Sequence, residues 1–434
     1  MADVFSVLGF DECYFNQIAL NTNFKKRVRT LTCFDFIFAL IVNASNTVMS
    51  YNTLASSIAE DLRKFVTKQA LQKTMIKDEF MDCLEAIYKD VLLSKLKLNC
   101  KKLKGKYKRI VIQDSTIVHL PQRLFSIFSG VSNGLVQVAN ARIQIALDIL
   151  CNHIIHFSLD SYSTNDIKAA NQLSIRQGDL LIRDRGYFSI AEIKRIIKAA
   201  AHFIYRYKHG INYCHVDTGV PIDLLKKLNK TKTTDIMVKL GDINGPVVRL
   251  IAMPVKAELA NMRRIKLKKQ SKLQPQKEVL ALLSWSIFIT SIEDGEDERM
   301  NYAEIFELYK LRWRIEILFK AMKSHLNLGH IHNVSNNQLK FIVLAKLLWS
   351  VLILQFVYEL LTKPIKEYFD MDLSFLKIIR FVTEHKNVLF DLMTLTNKNK
   401  INDCKTLKII AKYCTYDKRK RNNFVHQFST IPLS

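Results

Sequence analysis

Two short apolar runs, each ending on an aspartate, constrain the fold of this 434-residue chain most strongly. Residues 109–114 read Arg-Ile-Val-Ile-Gln-Asp, and residues 179–184 read Asp-Leu-Leu-Ile-Arg-Asp. Continuous apolar runs of this length are typical of strands that are buried on both faces. We expect both strands to end at the same edge of one sheet, which would bring Asp114 and Asp184 together.

The segments around these runs predict an α/β fold. Residues 142–150 and 153–159 predict a hairpin, residues 167–177 and 189–201 predict helices, and residues 203–207 predict a further strand. An order of strand, hairpin, helix, strand, helix and strand is typical of a mixed sheet flanked by helices.

Changes in residue pattern divide the chain into five predicted segments. These are a helical N-terminal domain (1–98), the first part of the α/β core (99–209), a β-rich insertion (210–295), the remainder of the core with a polar helix (296–362), and a helical C-terminal region (363–434) that is a candidate for dimerisation. The strand candidates of the insertion are residues 236–239, 247–253 and 283–290.

Part of the N-terminal domain has the spacing of a helix-turn-helix, in residues 51–62 and 67–75. In that interpretation Lys68, Gln69 and Lys73 would face DNA. A plain helical bundle explains the same pattern, and the sequence leaves both interpretations open.

The charge balance indicates a polyanionic partner. Lys and Arg number 65 against 40 Asp and Glu, so the net charge is +25, which fits nucleic acid or an anionic membrane surface. Residues 341–361 are apolar, but Lys346 and Glu359 interrupt them, and charges inside lipid are costly. We therefore expect a buried core helix there and no membrane role.

Three basic runs, residues 101–109, 263–269 and 418–421, would then add salt-dependent affinity for DNA. The eight cysteines are scattered without a Cys-x2-Cys pair, and residues 1–10 lack the pattern of a secretory signal. Both features predict a cytoplasmic protein with reduced thiols.

A polar motif lies in residues 309–323. Tyr309, Arg312, Glu316 and Lys323 fall within an arc of about 60° on a helical wheel, and Lys320 lies within about 20° of Tyr309. We expect one continuous helix with all five on one face. An isolated Arg312–Glu316 pair would be a surface ion pair worth about 0.3–0.5 kcal/mol.

Asp114, Asp184 and Glu316 are candidate metal ligands, because hard carboxylate oxygens suit Mg²⁺ or Mn²⁺. Two such ions about 3.5–4 Å apart can activate a water or a 3′-hydroxyl for displacement at phosphorus. For any single aspartate after a strand, a turn or a helix cap is the simpler explanation. The joint context of the three residues favours a metal site.

The chain resembles the DDE transposases of insertion-sequence family four, the group with the Tyr-Arg-Glu-Lys motif. The motif Y-x2-R-x3-E-x6-K fits Tyr309, Arg312, Glu316 and Lys323 at every spacing. The segments IQDST, with Asp114, and GDLLIRDRGYFS, with Asp184, resemble the two acidic motifs of that family. The resemblance covers about residues 100–330 strongly and both ends loosely.

This resemblance implies a ribonuclease-H-like core with Asp114, Asp184 and Glu316 as ligands of Mg²⁺ or Mn²⁺, two ions being expected. It also implies that Tyr309, Arg312 and Lys323 hold phosphates of the transposon end. Lys320, on the same predicted helix face, is a further candidate for a phosphate contact. Family members that form hairpins place a tryptophan near the position of Trp285 to stack on a flipped base.

Stacking of this kind is worth roughly 1–3 kcal/mol, although a core tryptophan in a strand explains Trp285 equally well. For Arg206, a role facing DNA is favoured over an edge-strand charge. For Trp313, a packing role is favoured over a DNA contact. No role is expected for the histidines, which lack metal-binding spacing.

Together these features predict a bacterial, nucleoid-associated DNA transposase with cut-and-paste chemistry. Its expected partners are double-stranded transposon ends and target DNA, and a homodimer is expected because two ends must be joined. Two alternatives remain at this point. One is a catalytically inactive DNA-binding derivative that inhibits transposition, and the other is a structure-specific nuclease on the same core.

Overall fold

The computed structural model describes residues 11–25, 30–90, 107–130, 137–151, 153–271, 273–292, 301–329, 331–385 and 405–416, with only the backbone at 355, 356 and 359. The chain divides into two compact units. The first includes the two outer parts of the sequence and is called the outer unit for that reason; it is built from Met1–Lys101, Ser115–Thr164 and Arg314–Thr430. The second, called the central unit for its place in the sequence, is built mainly from Lys102–Asp114 and Asn165–Trp313.

The N-terminal part of the outer unit is helical, as predicted. Its helices are α1 (Glu12–Asn21), α2 (Cys33–Val42), α3 (Tyr51–Leu62), α4 (Lys68–Met75) and α5 (Asp78–Asp90). Ser50 and Thr67 cap α3 and α4 by accepting backbone N–H bonds, which explains where both helices begin. The helical pair α3–α4 matches the predicted pair in extent, and its role in DNA binding stays a prediction.

Nine strands within the described residues form one mixed sheet. They are β1 (Arg109–Leu120), β2 (Ala139–Asp148), β3 (His153–Ser161), β4 (Asp179–Arg183), β5 (His202–Arg206), β6 (Tyr213–Cys214), β7 (Thr234–Leu240), β8 (Val247–Pro254) and β9 (Trp285–Thr290). The strand order is β3-β2-β1-β4-β5-β9-β8-β7-β6. β1, β4 and β5 pair in parallel, while β2–β3 and the succession from β5 through β9 to β6 pair antiparallel.

The first strand is longer than predicted, so the expectation that it ends on Asp114 is wrong. Thr116, Ile117 and Val118 continue the β-branched pattern, and β1 runs on to Leu120. Its pairing with β4 nevertheless stops at Gln113. Asp114 is therefore the first residue of β1 beyond the part that pairs with β4.

The helices of the central unit are α6 (Asp166–Ala170), α7 (Ile190–Lys198), α8 (Leu224–Thr231), α9 (Ala257–Gln270), α10 (Lys277–Leu282) and α11 (Tyr302–Lys310). The helix predicted over 167–177 is wrong beyond Ala170. The guanidinium of Arg195 donates to the carbonyls of Ala170 and Leu173, which replaces the bonds that further helical turns would make.

The predicted insertion is less rich in strands than expected. Its strands β6 to β9 continue the sheet, but α8, α9 and α10 lie between them. The basic stretch 263–269 lies in α9, whose Ala, Glu, Leu, Met, Arg and Lys residues all have high helix propensity. The insertion is thus a mixed α/β segment.

The remaining helices are α12 (Trp313–His325), α13 (Asn336–Leu352), α14 (Glu359–Phe369), α15 (Phe375–Glu384) and α16 (Lys405–Tyr413), with a π-helical segment at Ile353–Tyr358. Nearly all of α13 is buried, as predicted for a core helix. Within the described ranges, no helix has the length and apolarity needed to cross a bilayer. The basic run 418–421 and most of 101–109 lie outside the described residues.

Candidate active site

Three predicted site residues occupy matching positions on adjacent parallel strands of the central unit. Asp114 lies in β1, Asp184 directly follows β4, and Arg206 ends β5. Because side chains alternate along a strand, residues at equivalent register share one face of the sheet. The register partners two positions earlier on the three strands are Ile112, Ile182 and Ile204.

A buried ionic network fixes the end of β4 next to Asp184. Arg183 is fully buried, and its Nη1 donates to Glu192 Oε1 at 2.5 Å. Arg195 Nε donates to the other oxygen of Glu192 at 2.7 Å. Burial alone would raise the pKa of Glu192, but Arg195 and Arg183 outweigh burial and lower it. The charged network therefore anchors the strand that carries Asp184.

The polar motif does not form a single helix, which corrects the prediction. α11 ends at Lys310 and α12 begins at Trp313. Between them, the Leu311 N–H donates to the Leu308 carbonyl and the Arg312 N–H to the Tyr309 carbonyl, which forms a tight turn. Burial of the side chains at 309 and 311 and the ion pair of Arg312 outweigh helix continuity here.

This turn brings Tyr309 and Arg312 to the two aspartates. Arg312 Nη1 lies 3.3 Å from Asp114 Oδ2 and forms an ion pair with it. The Tyr309 hydroxyl donates a long hydrogen bond of 3.5 Å to Asp184 Oδ1. The guanidinium carbons of Arg206 and Arg312 lie 5.2 and 5.7 Å from the centroid of the Tyr309 ring, within the range of cation–π contacts.

The environment of Tyr309 keeps its phenol protonated. Burial raises the pKa of Tyr309 to about 12, although the charges of Arg312 and Arg206 act in the opposite direction. Its ring packs against Phe288 on β9, with centroids 5.0 Å apart. At neutral pH the hydroxyl is therefore a hydrogen-bond donor, and it could donate to a carboxylate or to a phosphate oxygen.

The other motif residues lie on α12, in the outer unit. Glu316 is half-buried in its first turn, Lys320 is exposed, and Lys323 is half-buried, which lowers its pKa. Among the described residues, no group of three or more His, Cys, Asp or Glu side chains is close enough to hold a metal ion. Asp114 and Asp184 offer hard oxygen donors on one sheet face, a set that suits Mg²⁺. The site that adds Glu316 stays a prediction.

The two tryptophans near the motif differ from each other. Trp285 is half-buried at the start of β9, and its indole N–H donates to the Lys232 carbonyl at 2.9 Å. A role in base stacking stays a prediction. Trp313 is 53% exposed, so about half of its surface is left for the packing role that the sequence favoured. Its ring centroid lies 5.6 Å from the Arg312 guanidinium.

One polar residue of this region was missed by the sequence analysis. Arg263 of α9 donates to the Trp285 carbonyl at 3.2 Å and to the Ser286 hydroxyl at 3.1 Å. The only signal was the basic stretch 263–269, which does not distinguish the half-buried Arg263 from the exposed lysines of the same stretch.

A comparison with known protein families matches the greater part of the chain. A family model described as "Transposase DDE domain" matches residues 105–352. The matched span is more than half of the chain and contains Asp114, Asp184 and Glu316.

Curated relatives are also transposases of insertion sequences. The chain is 26% identical over 311 residues to the transposase for insertion sequence element IS231B of Bacillus thuringiensis subsp. berliner, with 65% of this chain and 63% of the relative covered. It is 26% identical over 321 residues to that of IS231F of Bacillus thuringiensis subsp. israelensis, with 67% and 65% covered. For IS1151 of Clostridium perfringens the values are 24% over 355 residues, with 75% and 74% covered.

The matches to the two IS231 relatives span less than two thirds of the length of those proteins. Among solved structures, a cryo-EM structure of a piggyBac transposase synaptic complex with hairpin DNA overlaps with a TM-score of 0.38 at 11% identity, covering 97% of this chain and 85% of that chain. A score this low supports no conclusion about fold or function.

Proposed function

Because the chain belongs to the transposase DDE domain family, we propose that it is a DNA transposase. It cleaves the inverted-repeat ends of its own element and joins them to target DNA by cut-and-paste chemistry. The observation that carries this proposal is the contact of motif residues Tyr309 and Arg312 with Asp184 and Asp114. The two carboxylates thereby lie next to a guanidinium and a phenol hydroxyl, which are groups that can bind phosphate, and this supports a phosphodiester reaction.

Asp114, Asp184 and Glu316 would hold divalent cations, Mg²⁺ or Mn²⁺, within a ribonuclease-H-like core. When bound, such ions would supply Lewis-acid chemistry for displacement at phosphorus, by activating the attacking oxygen and stabilising the leaving oxygen. The chain itself supplies the carboxylates and orients them. The buried Arg183–Glu192 pair keeps the backbone before Asp184 in place.

The cationic residues around the aspartates would hold the DNA strand. Arg312 offers a planar fork for a phosphate, and the protonated Tyr309 hydroxyl donates one hydrogen bond. Lys320, Lys323 and Arg206 would add further phosphate contacts, and Trp285 would stack on a base.

The N-terminal and C-terminal segments of the chain would recognise the inverted repeats and hold two transposon ends together. The N-terminal helices are the proposed reader of the inverted repeat, since base contacts are needed for sequence specificity. A homodimer would hold two ends in one complex, with the C-terminal helical region as the proposed dimer contact. The protein would act on the bacterial nucleoid.

The test is cleavage of a duplex that carries the inverted repeat flanking the gene, in the presence of Mg²⁺. The isosteric variants Asp114→Asn, Asp184→Asn and Glu316→Gln should each lose activity by about a thousandfold or more, since removing one essential catalytic group commonly costs several kcal/mol. The matched control is Asp217→Asn, an exposed aspartate of the central unit, which should cut normally.

Normal cutting by any of the three variants would contradict the proposed ligand set. Cleavage without joining to target DNA would indicate a structure-specific nuclease instead. DNA binding without any metal-dependent cleavage by the unmodified protein would indicate an inactive derivative.

A further inference from the structure

Two arginines of the basic helix α9 are half-buried: Arg264, which donates to the Leu280 carbonyl, and Arg263. The Arg263 guanidinium donates to the Trp285 carbonyl and to the Ser286 hydroxyl, both at the start of β9. Lys266, Lys268 and Lys269 of the same helix are exposed instead. The fork of Arg263 is therefore fixed on the strand that begins with Trp285, while N–H groups not used in these two bonds remain for another ligand.

Arg206, the last residue of β5, lies on the same face of the sheet as Ser286 of β9. It is paired in register with Phe288, and directly paired residues of antiparallel strands point to the same side of the sheet. Ser286 is two residues before Phe288, so its hydroxyl also points to that side. The structure thus places two guanidinium groups along one face of β9, and that of Arg206 lies beside Tyr309.

These two arginines repel each other without a compensating anion. Burial, and then the charge of Arg206, lower the pKa of Arg263. Among the described residues, no Asp or Glu oxygen lies within ion-pair distance of either guanidinium. Two partly buried like charges destabilise a folded protein unless an anion neutralises them.

We propose that Arg206 and Arg263 together form a second phosphate-binding site, which holds the backbone of the bound DNA strand next to Trp285. This inference rests on the proposed function and extends it to a residue outside the Tyr-Arg-Glu-Lys motif. Because Arg263 also bonds to the Trp285 carbonyl, a phosphate held there would fix the strand relative to the half-buried indole. Forked guanidinium groups are well suited to this, since each can give two parallel hydrogen bonds to one phosphate.

The sharpest test neutralises single phosphates of the DNA. The full-length protein is bound, in a metal chelator so that no cutting occurs, to inverted-repeat duplexes that each carry one uncharged methylphosphonate linkage. For the unmodified protein, at least one linkage beside the cleavage position should weaken binding about tenfold or more, as loss of a charge-assisted hydrogen bond predicts. In Arg263→Ala and in Arg206→Ala, the same linkage should no longer matter, while other linkages keep their effect.

Salt dependence gives an independent readout. Loss of one phosphate contact should reduce the slope of log affinity against log salt by about 0.9 for each arginine removed. Arg380→Gln is the charge-matched control, because Arg380 lies on α15 of the outer unit and pairs with Glu384; it should keep the slope. Arg263→Lys, which retains the charge, should lose the methylphosphonate effect only in part.

Arg206→Ala protects the test against misfolding, since Arg206 makes no hydrogen bond or ion pair among the described residues. The inference fails if both variants keep the full penalty at every linkage, or if Arg380→Gln changes the slope as much as they do. Inorganic phosphate that displaces DNA equally from the unmodified and variant proteins would also overturn it. Because binding is measured without metal, these results are separate from the cleavage that tests the proposed function.

Discussion

At the scale of single residues, Tyr309 contacts both acidic and cationic residues of the candidate site. Its hydroxyl donates to Asp184, its ring packs on Phe288, and the ring lies near the guanidinium groups of Arg206 and Arg312. A protonated phenol in this position can change partner from the carboxylate to a phosphate without a change in charge. The packing role and the hydrogen-bonding role of Tyr309 can therefore be separated by removing only its hydroxyl.

Tyr309→Phe should keep the ring contacts and lose the hydrogen bond. We expect its thermal stability to stay close to that of the unmodified protein, while cleavage of the inverted-repeat duplex falls about fivefold to tenfold, as the loss of about 1–1.5 kcal/mol predicts. Tyr213→Phe is the matched control, since Tyr213 is also a buried tyrosine of the central unit, but its hydroxyl donates to the Lys208 carbonyl. Equal loss of activity in both variants would contradict a specific role for the Tyr309 hydroxyl.

The adjacency of Asp114 and Asp184 was predictable, because parallel strands with period-two side chains bring residues of equal register to one face. The ion pair between Arg312 and Asp114 was not predictable. It joins residues 198 positions apart and depends on a turn at 311–312 that no glycine or proline marks. The exposure of Trp313 follows from the same turn.

At the scale of elements, α13 connects separate parts of the outer unit through one buried lysine. Lys346 is 1% exposed, and its ammonium donates to the carbonyls of Ala44 at 2.8 Å, Asn46 at 3.2 Å and Leu326 at 2.5 Å. Leu326 directly follows α12, the helix that carries Glu316. The apolar pattern of residues 341–361 predicted a buried helix, but nothing in it showed that the lysine would bind these turns.

Lys346→Met should destabilise the protein by several kcal/mol, since each buried carbonyl left unsatisfied costs about 1–3 kcal/mol. Thermal or urea unfolding at neutral pH measures this loss. Lys340→Met, on the same helix but half-exposed, is the control and should have a small effect. Similar loss in both variants would show that Lys346 does not anchor these turns.

The same lysine predicts a pH dependence. Burial lowers the pKa of Lys346 to about 8 from an ordinary value of about 10.5. Between these values the unfolded chain binds more protons than the folded chain, so the contribution of Lys346 to the free energy of unfolding rises with pH. The unmodified protein should gain stability relative to Lys346→Met as pH increases above about 8. A constant difference between the two proteins across that range would contradict the lowered pKa.

At the scale of the whole molecule, the alternation of strands and helices predicted a mixed α/β fold, which the nine-stranded sheet confirms. The positions of the insertion strands in the sheet could not be predicted from the sequence pattern. Short strands such as β6, with two residues, carry little periodic signal, and sheet neighbours far apart in sequence are chosen by tertiary packing. The net charge of +25 is a property of the whole chain and gives the most general expectation about its partner.

Removal of divalent metal should therefore abolish DNA cleavage while DNA binding continues. In a chelator, the protein should still bind the inverted-repeat duplex, because binding depends on counterion release by cationic groups and not on the carboxylates. Cleavage should stop and should return on addition of Mg²⁺ or Mn²⁺.

A protein that makes 6–10 phosphate contacts loses about 10³–10⁵ in affinity between about 50 and 200 mM salt, and we expect a dependence of this size here. Titrations in chelator at several salt concentrations, followed by cleavage after metal addition, measure both quantities on one preparation. If binding requires the metal, the cationic residues do not bind DNA independently of the carboxylates. If cleavage continues in the chelator, the three carboxylates do not act through a divalent metal.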